Sequence, residues 1–112
     1  MSDNRFVLEG IEPKACSSSS AWHKWLESAD RQIATTSIEY RGIVITINSQ
    51  FLGIAATAGA NTKPYLFMTV VFGGPLGGKA WRGRSWCGTL RNHAAAVREV
   101  IKALALDIER VG

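Results

Sequence analysis

Residues 85–108 read SWCGTLRNHAAAVREVIKALALDI, and this stretch decides the fold. Trp86, Leu90, Ala94, Val97, Ile101, Leu104 and Ile108 recur at steps of three and four, the spacing of one face of an α-helix. Ser85 stands where a side-chain oxygen can accept from an amide of the first turn. Arg91, Arg98, Glu99, Lys102, Glu109 and Arg110 fall off the stripe. A long helix with one apolar stripe needs a partner layer, and the stripe is expected to be core.

The residues before it supply that layer. Tyr65 to Phe72 (YLFMTVVF) reads as a strand opened by Pro64. Leu66, Met68, Val70 and Phe72 form one face, and Tyr65, Phe67, Thr69 and Val71 the other. Both faces are largely apolar, so both are expected to be covered, which favours a homodimer or larger homo-oligomer. Ile43, Ile45 and Ile47 alternate with Val44, Thr46 and Asn48 in a strand that runs on through Phe51 and Leu52. Arg41-Gly42 marks a turn before it, and Thr35, Thr36 and Ile38 suggest a further strand over residues 34–40. Residues 55–63 (AATAGANTK) read as a flexible loop, GGPLGG (73–78) as a turn, and residues 80–84 as a short charged edge strand. Trp22, Trp25, Leu26, Ala29 and Ile33 give a short N-terminal helix capped by Ser20.

The expectation is an α+β domain: a short N-terminal helix, an antiparallel sheet of three to four strands, and a long C-terminal helix packed on the sheet. Residues 21–112 form this single domain. Residues 1–20, with the serine run Ser17 to Ser20, are expected to be a flexible segment.

The chain of 112 residues has 46% apolar and 20% charged residues and a formal charge of +4, the composition of one globular domain. MSDNRFVLEG lacks the basic then apolar order of a signal peptide. No apolar run approaches the ~20 residues of a membrane span, so no membrane partner is expected. Cys16 and Cys87 are the only cysteines and fit free thiols in a reducing compartment. No His or Cys pair sits at metal-ligand spacing, and no cofactor motif is complete.

Charge is unevenly distributed. Between Glu39 and Glu99 there is no acid, while Arg41, Lys63, Lys79, Arg82, Arg84, Arg91 and Arg98 all lie there. Such a stretch either forms a solvated basic face or attracts an anionic partner. Residues 79–86 (KAWRGRSW) interleave cations with tryptophans, a pattern suited to phosphates and stacked bases. The bland alternative is an edge strand with Trp packed inward and Arg pointing to water. Lys79, Trp81, Arg82, Arg84 and Arg91 are the candidate binding residues.

Catalytic readings fare worse. Residues 73–79 match the G-x-x-x-x-G-K spacing of a phosphate-binding loop, but Ala80 stands in place of the Mg²⁺-holding hydroxyl and no helix follows. His93 lies on or beside the apolar stripe and is expected to be a satisfied core histidine. His23 is expected at the surface. Cys87 lies in the first turn of the long helix, with no His or acid that the sequence places beside it. A non-enzymatic role is expected.

Over about two thirds of its length, the chain resembles a family of small bacteriophage and prophage proteins. The residues that carry the resemblance are Phe51-Leu52-Gly53, then Pro64-Tyr65-Leu66-Phe67-Met68-Thr69-Val70-Val71-Phe72-Gly73-Gly74, then Ser85-Trp86 and His93-Ala94-Ala95-Ala96-Val97. Met68 stands where the family carries Glu, and Cys87 and Gly88 stand where it carries acids after the Trp. The resemblance implies a phage origin and action in the host cytoplasm on a host protein or protein complex, for example as an anti-defence inhibitor. The alternative from the residues themselves is a nucleic-acid or signalling-nucleotide binder using residues 79–91.

Overall fold

The computed structural model describes residues 5–56 and 64–111. Two strands, β1 (Phe6–Glu9) and β2 (Glu12–Ala15), precede helix α1 (Ser19–Ser28). Four strands follow, β3 (Gln32–Tyr40), β4 (Ile43–Ala56), β5 (Tyr65–Phe72) and β6 (Ala80–Gly83), and helix α2 (Trp86–Val111) closes the chain. β1 and β2 form their own two-stranded sheet, and the main sheet has the order β3-β4-β5-β6 with every pair antiparallel. The fold is α+β with the long helix packed on the sheet. The loop expected over residues 55–63 lies, from 57 onward, outside the described residues.

The β3–β4 hairpin turns on two residues. Arg41 has φ 51° and Gly42 φ 79°, the pair of left-handed conformations that lets a two-residue loop follow the twist of its strands. Its register sets Ile38 opposite Ile45 and Thr36 opposite Ile47. Ile47 in turn faces Val71, Ser49 faces Thr69 and Phe51 faces Phe67. Because side chains alternate, these residues share the face that α2 covers. Ile45, Ile47 and Val71 pack with Ala96, Val100 and Leu104 of the helix, flanked by Ile38, Tyr40, Leu76, Trp81 and Val97.

A second cluster sits at the other end of the sheet. Phe51, Leu66 and Phe67 pack with Phe6, Leu8, Trp25, Ile33 and Trp86. Phe51 meets Phe67 at 5.3 Å and Trp25 at 5.8 Å between ring centroids, both edge-on. Trp22 locks α1 in place: its indole Nε1 donates to the carbonyls of Phe6 (3.2 Å) and Gly53 (3.1 Å). Gly53 has φ 79° at an irregularity in the β4–β5 register, and a Cβ there would lie 3.1 Å from Leu26 Cδ2. The backbone thus approaches α1 where only glycine suits.

Several expectations need correction. The stretch read as flexible, residues 1–20, carries the β1–β2 hairpin and the start of α1, and Cys16 N donates to Arg5 O (2.9 Å) beside it. The cap of α1 is Ser18 rather than Ser20; its Oγ accepts from Ala21 N at 3.2 Å. β3 starts at Gln32, so Ile33 belongs to a strand and not to the first helix.

The stripe of α2 is rotated from the expected one. Leu90, Ala94, Ile101 and Ile108 are exposed, and the buried line is Thr89, His93, Ala96, Val100 and Leu104. Two polar residues occupy that line because each finds a partner, so hydropathy alone points to the neighbouring line.

The two faces of β5 also differ. Phe67, Thr69 and Val71 are buried under α2. On the other face Met68 and Val70 are half-buried and Phe72 is exposed, beside Thr46, Asn48 and Gln50 of β4. Leu66, at the start of that face, is buried in the second cluster, and beyond it the face is mixed rather than apolar and open to solvent at Phe72.

Candidate functional site

The basic segment begins in the turn between β5 and β6. Gly73, Gly74 and Gly78 all have φ above +70°. The turn satisfies its own amides: Gly77 N donates to Gly74 O (3.2 Å), Gly78 N to Val71 O (2.8 Å) and Lys79 N to Leu76 O (3.0 Å). These donors are spent within the turn, and a strand follows it instead of a helix. The phosphate-loop spacing here is a hairpin turn.

Beyond the turn, β6 sorts its side chains by alternation. Trp81 pairs with buried Thr69, lies half-buried against the core and carries Lys79 Nζ at 5.2 Å from its ring centroid. Arg82 pairs with Met68 and is exposed on the opposite, open face. Gly83 returns to the helix side, where a Cβ would lie 2.5 Å from Thr89 Oγ1. Arg84 lies past the end of β6, its guanidinium 3.9 Å over the Tyr65 ring. Arg91 is exposed on α2.

The five candidate residues therefore do not share one face. Lys79 and Trp81 are together. Arg82 lies across the sheet from α2, and Arg91 is on the helix. Arg84 borders a separate cavity of about 310 Å³ formed with Phe6, Pro13, Leu66, Trp86 and Cys87 among others. Of the motif's two tryptophans, Trp81 is half-buried against the core with Lys79 over its ring, and Trp86, also half-buried, lines the cavity beside Arg84.

α2 starts cleanly after Ser85, whose Oγ accepts from Gly88 N at 3.0 Å. Thr89 Oγ1 donates to Ser85 O at 2.7 Å. Four residues on, His93 forms a polar chain under the helix. Its Nδ1 lies 2.8 Å from Ser49 Oγ and its Nε2 2.9 Å from Thr36 Oγ1, while Ser49 Oγ lies 2.6 Å from Thr69 Oγ1. Burial lowers the imidazole pKa, so the neutral ring is favoured. In the neutral ring one nitrogen donates and the other accepts, and a hydroxyl can serve either.

This Ser–His arrangement resembles a nucleophile with its base, but Ser49 and Thr69 have no exposed surface and His93 only 8%. A substrate cannot reach the hydroxyls. The chain ties β3, β4 and β5 to α2, as a satisfied core histidine should. Sequence reasoning found His93 but not Ser49 or Thr69, whose positions in apolar strands carry no signal without the register. His23 is exposed, with Nδ1 2.8 Å from Ser19 O. Cys87 is an exposed free thiol and Cys16 a half-buried one.

Among the described residues no group of three or more His, Cys, Asp or Glu is placed to hold a metal ion. No helix among them is long and apolar enough to cross a membrane. In comparisons with known proteins, the chain matches no family model, no curated protein and no solved structure.

Proposed function

We propose that this chain is a non-catalytic binding protein that acts by occupying an acidic surface of a partner protein. The observation that carries the reading is Arg82, exposed on the open face of the sheet beside half-buried Met68 and Val70. Lys79 stands at the entry to the same strand, and the chain has no acid between Glu39 and Glu99. Cations at the margin of a mixed apolar and polar face match an acidic protein surface, where complementary charge speeds encounter and fixes orientation. Trp81 is half-buried against the core with Lys79 over its ring, which leaves less of its face for a stacked base.

The phage-family resemblance supports a narrower version. The partner is then a host protein or complex in the bacterial cytoplasm, and the chain an anti-defence inhibitor from a bacteriophage. Nucleic-acid or signalling-nucleotide binding through the same cations is the competing reading.

The test compares capture from bacterial lysate by the wild type, by Lys79→Glu/Arg82→Glu and by Arg110→Glu. A protein captured by the wild type and by the Arg110 variant, but lost with the double reversal, supports the proposal. Equal capture by all three overturns it. Oligonucleotide or nucleotide binding that falls steeply with salt and disappears in the double reversal would favour the competing reading.

A further inference from the structure

The two free edges of the main sheet are unlike. β6 is four residues long, contains Arg82 and is flanked by Lys79 and Arg84, a short charged edge that discourages pairing. β3 is nine residues long and has no proline or lysine. No described strand pairs with its outer side. The Tyr40–Ile43 pair closes a two-residue hairpin and so directs its bonds toward β4. By alternation, Thr35, Ser37 and Glu39 direct their backbone N–H and C=O groups outward.

The helix layer is also uncovered on this flank. Asn92 reaches β6, with its Nδ2 3.2 Å from Arg82 O, and His93 reaches β3 at Thr36. One step of about 100° around α2 thus passes from the β6 side to the β3 side. Continuing in the same sense leads to Val97, Leu90, Ile108 and Ile101. Leu90 is 42% exposed, Ile108 52% and Ile101 53%. The apolar line that the sequence displays, and that the sheet does not bury, overhangs the open edge.

We propose that a second copy of this chain covers this flank. The two β3 strands pair antiparallel about a two-fold axis perpendicular to the sheet. One continuous sheet results, with both α2 helices on the same side. Such an interface is self-complementary, as a two-fold dimer requires.

Charge fits this arrangement. Asp30 and Arg31 precede the strand's regular part, and Glu39 and Arg41 lie at its other end. Antiparallel pairing centred on Thr35 brings Arg31 opposite Glu39 of the partner subunit, while Arg41, in the turn, faces Asp107 of its own chain at 3.9 Å.

The area fits as well. Nine strand residues span about 30 Å, and a sheet-plus-helix flank is about 20 Å deep. Together they give a footprint of the order of the ~800 Å² per partner found in specific interfaces. Arg82 stays outside the interface, so dimer formation and partner binding fail separately.

Sedimentation and light scattering at micromolar concentration test the proposal. The wild type is expected to be a dimer, and Leu90→Lys/Ile101→Lys a monomer with an unchanged circular dichroism spectrum. Leu106→Lys on the other side of α2 and Val44→Lys on the open face should remain dimers. Hydrogen exchange gives a second readout that needs no variant: the amides of Thr35, Ser37 and Glu39 should gain protection as concentration rises. A wild type that stays monomeric, dissociation by Val44→Lys instead of the helix pair, or edge amides that exchange freely at every concentration would each overturn it.

Discussion

Asn92 and His93 are consecutive on α2, yet they bond to opposite edge strands of the main sheet. The Asn92 amide donates to the Arg82 carbonyl on β6 at 3.2 Å, and His93 Nε2 lies 2.9 Å from Thr36 Oγ1 on β3. Two side chains on one turn of helix therefore fix its rotation. Thr89, Ala96 and Val100 fall between them in direction and are fully buried.

The His93 chain should make stability depend on pH. Burial lowers the folded-state pKa, while the unfolded imidazole titrates near its usual value of ~6.5. Above that value the ring is neutral in both states and the contribution is complete. As pH falls below it, the unfolded chain binds the proton first, so stability declines until the folded pKa is also passed. The urea midpoint should drop between pH 7.5 and pH 5.5, and His93→Gln should show a smaller drop. Equal drops in the two proteins would remove His93 as the cause.

His93 also shows why the helix reads one line off in the sequence. A polar residue in a core line is invisible to a hydropathy pattern, because the hydroxyls of Ser49 and Thr36 that satisfy it come from strands far along the chain. The apolar arc of α2 is wide enough to offer two lines, and only these long-range bonds choose between them.

The four main strands were legible, since β-branched alternation and the Arg41-Gly42 turn are local signals. The β1–β2 hairpin was not. Its strands FVLE and EPKA are four residues each, one contains Pro13, and neither repeats long enough to show a period. Of the candidate site, the cations were legible but their faces were not, because β6 ends at Gly83 and leaves Arg84 beyond the strand's alternation.

That N-terminal unit is held to the main sheet by the packing of Phe6, Leu8 and Trp25, by the Arg5–Ile54 bridge and by one indole. Trp22 Nε1 donates to both Phe6 O and Gly53 O, so a single indole bonds α1 to β1 and to β4. Trp22→Phe keeps most of the apolar surface but removes the donor, at a cost of about 1–3 kcal/mol. Its first consequence should be faster limited proteolysis within residues 5–28, ahead of any change in the main sheet. Unchanged cleavage kinetics would mean that packing and the bridge hold the hairpin.

Gly83 tests the contact between β6 and α2. A Cβ at this position would lie 2.5 Å from Thr89 Oγ1 and 3.4 Å from Phe67 Cβ. Thr89 is itself fully buried and bonded back to Ser85, so it has little room to move. Gly83→Ala should cost about 1–3 kcal/mol through overpacking. Gly42→Ala, with nothing within 4 Å of the added atom but φ 79°, should lose stability only through backbone strain of about 1–2 kcal/mol. Adding Thr89→Ser to Gly83→Ala leaves the clashing oxygen in place but frees it to rotate, and should recover part of the loss. If the double variant is no more stable in urea than Gly83→Ala, the helix is not held against β6 at this point.

The rotation of α2 can be read from two leucines that lie two positions apart. Leu104 is 8% exposed in the cluster with Ile45, Ile47 and Val71, while Leu106 is 51% exposed on the β6 side of the helix. Leu104→Ala removes buried methyl groups from a packed site and should cost roughly 2–4 kcal/mol. Leu106→Ala changes a side chain that solvent already reaches, and should stay within about 0.5 kcal/mol. Alanine suits a helix at least as well as leucine, so propensity does not blur the comparison. Neither residue is on the flank assigned to the second copy, so the contrast should hold at any protein concentration. Equal losses in the two variants, measured by urea unfolding, would show that the helix is turned from the orientation that Asn92 and His93 give it.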